Sequence, residues 1–470
     1  MSTPGSGPPA PDSAPPEVLD WLPTELPGVE RRAALPQGFA AGASAAGIKA
    51  SGRPDLAVVR SMNGPAAAAA VFTQHPFAAA PVQLSRAHLS ASAAEGRGGF
   101  GWAEAIVATS GCANAATGEP GLEDQREIAR LLAGASGVAV DRTLHLSTGI
   151  IGSRLPLEAV ARGLSALVPA GLSETDEGFE AVAIALRTTD SRTKVASTEI
   201  ALPDVDGFAV RSVMISGCAK GVGMIHPGMA TMLAIILTDA AVDPAVLAGL
   251  LRPAAARTWN QLTVDGDTST NDTVFVLASG ASGTAPVRAG SEAARQLGRA
   301  IEAVARDLAR QQAADGEGAT TLLTCQVSGA LDPAEARAVA RSVVGSSLVK
   351  AAAHGRDPNW GRIAAAAGNA RLADAAVLEA AGLDAPSAAA RAGRPVSLDP
   401  ERLRIAIAGQ AVFDGGRGGP LSFDRVGARQ AMDAPEILIR LDLGLDAGTG
   451  EAFGCDLTEE YVIENAEYTT

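Results

Sequence analysis

In the segment Lys220-Gly-Val-Gly-Met-Ile-His-Pro-Gly-Met-Ala230-Thr231-Met-Leu-Ala-Ile-Ile-Leu-Thr-Asp239, residue types and spacing could do chemistry. A Gly- and Pro-containing loop runs into a short, apolar, β-branched stretch, with Thr231 at the junction. The Thr231 hydroxyl can attack the Ala230 carbonyl, shift the chain from amide to ester and release Thr231 as a new N-terminus. Its freed α-amine, with a pKa near neutrality, suits it to take the proton of its own hydroxyl. This is the threonine and N-terminal-amine form of nucleophilic catalysis. An ordinary loop entering a buried strand can carry the same Ala-Thr junction.

Other segments could serve such a nucleophile. Leu146-Ser-Thr148-Gly149-Ile-Ile-Gly152 is a Gly-punctuated turn with hydroxyls, and acyl transfer needs donors aimed at the oxygen that becomes negative. The plain alternative is a turn between strands. Lys220 lies eleven residues before Thr231; a cation there would disfavour protonation of a new amine and attract a carboxylate. By residue type alone it is equally a solvated lysine on a glycine loop. Asp315-Gly316-Glu317-Gly318-Ala319-Thr320 places a glutamate between glycines, most simply in a loop. His226 and His354 could be bases, but an N-terminal amine makes a histidine unnecessary, and both read as packing or loop residues.

The elements that must position these groups are mixed. Ser291 is an N-cap candidate, and Leu297, Ile301, Val304 and Leu308 recur at helical spacing until Asp315-Gly-Glu-Gly ends the pattern. Ile437, Ile439, Leu441 and Leu443 alternate with Leu438, Arg440 and Asp442, as in a strand with one buried face. Thr231 to Leu237 reads as a fully buried strand. Strands mixed with helices imply an α/β chain of sheets covered by helices.

Composition bounds the rest. A chain of 470 residues, 47% hydrophobic, can bury a large core and form two domains or lobes. Aromatics are only 3%, so that core is built from small aliphatics. A net charge of −14 with no basic stripe argues against nucleic-acid binding and suits small-molecule substrates. Cys112, Cys218, Cys325 and Cys455 are scattered without metal-site spacing, which reads as a reduced, cytoplasmic protein. No apolar run approaches membrane-spanning length, and no secretory signal is evident. Met1 to Pro16 is almost wholly Ser, Thr, Pro, Gly and Ala, so residues 1–34 read as a disordered extension without a catalytic role. Asp20-Trp-Leu-Pro-Thr-Glu-Leu within it could be a short docking element.

The string Lys-Gly-x-Gly-Met-Ile-x-Pro-x-Met-Ala-Thr-Met-Leu resembles the self-cleaving signature of the ornithine acetyltransferase family, the glutamate N-acetyltransferases of the cyclic arginine pathway. The resemblance runs from about Leu35, where Leu35-Pro-Gln-Gly-Phe-Ala-Ala-Gly begins the family pattern, to Thr470. It implies stacked β-sheets flanked by helices (αββα-type), self-cleaved at Ala230-Thr231 into an alpha chain, 35–230, and a beta chain, 231–470. It implies that acetyl moves from N2-acetyl-L-ornithine to L-glutamate through an acetyl ester on Thr231, with Thr148 and Gly149 forming the oxyanion hole. Lys220, Glu317, Asn465 and Thr470 map onto substrate-binding positions. So does one of Thr188 and Thr189, in Arg187-Thr188-Thr189-Asp190.

The resemblance implies no metal and no nucleotide cofactor, and two copies each of two fragments, a heterotetramer. A second activity drawing on acetyl-CoA occurs in only some members. Val264-Asp265-Gly266-Asp267-Thr268-Ser269-Thr270-Asn271-Asp272 and Gly355-Arg356-Asp357-Pro358-Asn359-Trp360-Gly361-Arg362 match family blocks and read as walls of the site. Thr321 departs from the family's more usual lysine. The alternative within the same self-cleaving fold is an aminopeptidase or amidohydrolase, in which water resolves the acyl-enzyme.

Overall fold

The run Ala66–Phe72 is made of five alanines followed by Val and Phe, yet it forms a strand with every residue buried. Alanine is the best helix former, and tertiary context overrides that preference here. Ala67, Ala69 and Val71 face one core, and Ala66, Ala68, Ala70 and Phe72 face another. Both faces of the strand are covered, and methyl groups suit the space between the layers.

The computed structural model describes residues 26–93, 99–226 and 232–467. Ala230, Thr231 and Thr470, and most of the N-terminal extension, lie outside the described residues. The first ten strands are β1 (Phe39–Ser44), β2 (Leu56–Ser61), β3 (Ala66–Phe72), β4 (Phe100–Ala103), β5 (Ala105–Cys112), β6 (Thr143–Ile150), β7 (Lys194–Pro203), β8 (Val210–Lys220), β9 (Leu233–Thr238) and β10 (Thr273–Ala278). The helices among them and just after are α1 (Ala80–Ser92), α2 (Gly118–Ser136), α3 (Leu157–Leu167), α4 (Asp176–Leu186), α5 (Pro244–Arg257) and α6 (Glu292–Ala314).

These elements make two stacked sheets. One has the order β1-β2-β5-β6 and the other β4-β3-β10-β9-β8-β7. Ile106, Ala108, Leu144 and Leu146 of the first meet Leu233, Ile235, Leu237 and Phe275 of the second in a shared core. Ala105 and Val107, on the opposite face of β5, pack with Ile128 and Leu132 of α2 and Val160 and Leu164 of α3. Ala234, Ile236 and Val276 pack outward onto Leu251 of α5 and Leu297, Ile301, Val304 and Leu308 of α6. The layering is therefore helix, sheet, sheet, helix, as the αββα expectation has it. β9 lies between two covered faces, which is why all six of its residues are buried. Ser291 caps α6, its side chain accepting from Ala294 N at 3.1 Å.

A third sheet follows, built from β11 (Leu322–Ala330), β12 (Arg404–Ile407), β13 (Gln410–Asp414), β14 (Gly419–Pro420), β15 (Glu436–Asp442) and β16 (Gly448–Cys455), in the order β14-β13-β12-β15-β11-β16. The accompanying helices are α7 (Pro333–Gly345), α8 (Ser347–His354), α9 (Trp360–Gly368), α10 (Ala375–Ala380), α11 (Ala385–Arg391), α12 (Arg425–Ala431) and α13 (Glu459–Glu467). Ile437, Ile439 and Leu441 of β15 are buried while their alternates are half-buried, the period-2 pattern expected. The half-buried face looks toward α6, whose Arg310 pairs with Glu436 at 2.7 Å and whose Arg306 pairs with Glu451.

The segment 1–34, expected to be loose throughout, is anchored in its described part. Glu30 exchanges both backbone hydrogen bonds with Ser197 of β7, at 2.9 and 2.8 Å, and Arg31 pairs with Asp307 of α6 at 3.0 Å. The second sheet ends at β7, and backbone pairing satisfies part of that edge.

Candidate active site

Thr148 and Gly149 close β6 at a kink. Gly111 pairs with Gly149, and Cys112 then faces both Thr148 and Ile150, a bulge in the β5–β6 ladder. Gly149 holds φ +127°, and a Cβ there would overlap the Gly111 backbone and lie 2.7 Å from Cys112 N. The two strand ends can approach this closely because position 149 lacks a side chain. Asn271 braces the same corner, donating through Nδ2 to Ala113 O at 2.7 Å and Ser147 O at 2.8 Å.

Lys220 ends β8 across the cleft, its ammonium donating to Thr148 Oγ1 at 3.1 Å. Burial lowers its pKa, with Asp190, Glu317 and Asp272 opposing that shift through their charge. The turn that follows is held from several sides. Gly221 N donates to Asp190 Oδ1 at 2.9 Å, and Met224 N and Ile225 N donate to Asp265 at 2.5 and 2.8 Å. Gln312 of α6 donates to Lys220 O at 2.8 Å.

Asp190 joins two of the sequence motifs. Lys194, fully buried at the start of β7, donates to Asp190 Oδ1 at 2.6 Å and to Asp315 Oδ2 at 2.5 Å. Ser191 bonds Asp315 as well. Burial opposes the charge on Asp190, but Lys194, Lys220 and the Gly221 N–H outweigh it and hold the carboxyl well below the usual carboxylate range. The Thr188–Asp190 stretch and the Asp315–Gly318 loop are therefore locked together by a buried lysine.

That lock presents Glu317. Its Oε1 accepts from Thr189 Oγ1 at 3.2 Å and its Oε2 from Asn465 Nδ2 of α13 at 3.1 Å. The helix is itself tied down, since Thr458 donates to Gly318 O at 2.7 Å. Thr148, Gly149, Thr188, Thr189, Lys220, Glu317 and Asn465 all line one cleft of about 160 Å³, together with Met232, Leu233 and Ser269–Asp272. The described residues among those expected to hold substrate or oxyanion therefore come together in one cleft.

Two results differ from expectation or go beyond it, and the placement of the histidines agrees with it. The Gly355–Arg362 block, read as a wall, is absent from the described lining of the cleft. Arg356 instead pairs with Asp433 at 3.2 Å and Arg362 donates to Leu348 O, bracing α8 and α9 in the third-sheet lobe. Lys194 was not anticipated, because a lone lysine opening a strand gives no sign of the two carboxylates that fold around it. His226 and His354 stand on Thr263 (2.9 Å) and Asp456 (3.2 Å), outside the described cleft lining.

A cation beside a hydroxyl and a carboxylate held by two other side chains, set over stacked sheets, form the cleft of an α/β enzyme. The ArgJ family model matches residues 40–470, and the chain belongs to that family. It is 45% identical over 436 residues to the arginine biosynthesis bifunctional protein ArgJ of Thermus thermophilus, covering 93% of this chain and 99% of the relative. Among solved structures, it is similar to a Bacillus halodurans ArgJ chain (37% identity, 51% of this chain and 100% of that one, TM-score 0.44). It is also similar to a Mycobacterium tuberculosis ornithine acetyltransferase complexed with ornithine (32% identity, 43% and 99%, TM-score 0.38).

Proposed function

We propose that this chain cleaves itself between Ala230 and Thr231 and then moves acetyl from N2-acetyl-L-ornithine to L-glutamate. The Thr231 hydroxyl attacks the acetyl carbonyl and its own α-amine takes the proton. Thr148 and the Gly149 backbone hold the oxyanion, the C–N bond breaks, and the amine returns the proton to ornithine as it leaves. Glutamate's amine then attacks the acetyl ester, and the Thr231 oxygen recovers its proton. Acetyl-CoA, the donor of a second activity in some members of the family that the sequence resembles, is to be tried beside N2-acetyl-L-ornithine.

The observation that carries this reading is the Glu317 carboxylate, held by Thr189 and Asn465 in the same cleft as Lys220 and Thr148. N2-acetyl-L-ornithine brings a side-chain ammonium for Glu317 and a free α-carboxylate for Lys220, whereas the N-terminal residue of a longer peptide brings an ammonium but no α-carboxylate. Met232 and Leu233, which follow Thr231 in the chain, line that cleft too. This favours amino-acid transfer over the aminopeptidase reading. We expect the assembly to hold two copies of each fragment in the cytoplasm; no helix among the described residues is long and apolar enough to cross a membrane.

The test is intact mass under denaturing conditions after incubation with N2-acetyl-L-ornithine. Two chains, 1–230 and 231–470, with one acetyl on the second, are expected. A single unmodified chain overturns the proposal, as does full activity in a Thr231→Ala variant.

A further inference from the structure

A larger cavity, about 430 Å³, lies away from the cleft, between the end of α5 and the third-sheet lobe. One face of α7 lines it, with Ala334, Arg337, Ala338, Arg341, Ser342 and Gly345 at helical spacing. The other face of the same helix is apolar: Ala336, Val339, Ala340 and Val343 pack into the third-sheet core.

The charge in this cavity is unbalanced. Neither Arg337 nor Arg341 makes an ion pair or a side-chain hydrogen bond among the described residues, and Arg341 Nε is buried without a partner. The carboxylates that bear on Arg337 are taken by others, Asp332 by Arg391 at 2.6 Å and Glu302 by Arg257 at 2.5 Å. Asp374, the one acting on Arg341, is exposed and beyond ion-pair distance. Burial pushes both guanidinium groups down to about 10, so both remain cations at neutral pH. A third cation, Arg371, lines the same space.

An unpaired acceptor lines the same cavity. Gln261 also lines the cavity; its Nε2 donates to Ala256 O at 3.2 Å, while its Oε1 is buried with no donor. Leaving a buried guanidinium nitrogen of Arg341 and a buried amide oxygen of Gln261 unpaired costs free energy that a matching guest would recover.

We infer that this cavity binds a small organic oxyanion, a carboxylate or phosphate on a ligand that also carries an N–H or O–H donor. The oxyanion takes Arg337 and Arg341, and the donor goes to Gln261 Oε1. The volume falls within the roughly 300–1,000 Å³ of small-molecule sites. The cavity is distinct from the Glu317 cleft but borders the same loop, because His226 lines it while Lys220–Met224 line the cleft.

Calorimetric titration of the full protein with inorganic phosphate, coenzyme A and N-acetyl-L-glutamate, each alone, tests this. At least one probe should saturate a site whose Kd rises tenfold or more in both Arg341→Met and Arg337→Met, as expected for loss of a charge-assisted contact (roughly tenfold or above). The same binding should survive Glu317→Gln, which alters only the cleft. Phosphate and coenzyme A binding together identify a phosphoryl group; N-acetyl-L-glutamate binding alone identifies a carboxylate beside an amide. Without probe, both variants should melt at or above the wild-type temperature, since each loses an unpaired buried charge. Equal affinities in wild type and variants overturn the site, as does the absence of any saturable binding below about 10 mM. A fall of more than about 5 °C in both variants gives the arginines a structural part and overturns it too.

Discussion

The Glu317 carboxylate lies against the α-carbon of Gly223 so closely that a Cβ at position 223 would overlap it. Two motifs nearly a hundred residues apart thus share one small space, and the glycine in Lys220-Gly-Val-Gly223 is what lets the carboxylate reach the cleft.

Gly223 has ordinary backbone angles, so an alanine there displaces the end of a flexible side chain and leaves the backbone intact. Gly223→Ala should therefore fold normally and process at Ala230-Thr231, while KM for N2-acetyl-L-ornithine rises about tenfold or more. Glu317→Gln, which keeps the shape and removes the charge, should reproduce that effect. Steady-state kinetics on both variants checks it; unchanged KM in both would remove Glu317 from substrate binding.

Gly149→Ala should do more. Its φ of +127° is strained for any side chain, and the new methyl meets the Gly111 backbone, which cannot swing aside. We expect the oxyanion corner to open, with acetyl transfer down about 10²–10³-fold and stability down by about 1–3 kcal/mol. Activity assays beside thermal melts separate the two effects.

Lys194→Met leaves Asp190 and Asp315 buried without their shared cation. Removing one partner from a buried ionic set costs about 3–5 kcal/mol. Urea denaturation at neutral pH should show that loss, and the deficit should shrink in acid as one carboxylate takes a proton.

The imidazole of His145 should make the fold acid-sensitive. Burial lowers it to about 3, and Gln125 Nε2 at 3.1 Å and Thr143 Oγ1 at 3.0 Å suit its neutral form. Its folded value lies below the ~6.5 of an unfolded histidine, so between the two the unfolded chain binds the extra proton. Stability from this group is complete above about pH 6.5 and falls as pH drops toward about 3. The slope is at most about 1.4 kcal/mol per pH unit. His145→Gln should flatten that slope in denaturant midpoints measured at pH 7 and pH 4.5.

The site was legible through strings that resemble a family pattern; residue types and spacing alone left the roles of Thr148, Gly149, Glu317 and Asn465 open. Glu317 lies between glycines just past a capped helix, Thr148 and Gly149 lie in a turn, and Asn465 lies near the C-terminus. The period-2 burial of β15 and the cap at Ser291 follow from local chemistry. Lys194 and Asp190 were not legible as a pair, because their partner Asp315 is more than a hundred residues away. The Ala66–Phe72 strand was equally hidden, since only two covering layers turn that composition into sheet. Gly355–Arg362 shows the converse, a match of motif to family that serves packing outside the described cleft lining.

The antiparallel pairing of β8 with β9 runs from Ile215 with Thr238 to Lys220 with Leu233. The ladder therefore closes a loop on both sides of the Ala230-Thr231 bond. A cut within that loop removes no ladder bond and relieves the entropy lost in closing it, a term that grows only as the logarithm of loop length. Under the proposed cleavage the two pieces would stay registered by the sheet they share, and separating them would demand unfolding of a six-stranded core and not the parting of two surfaces.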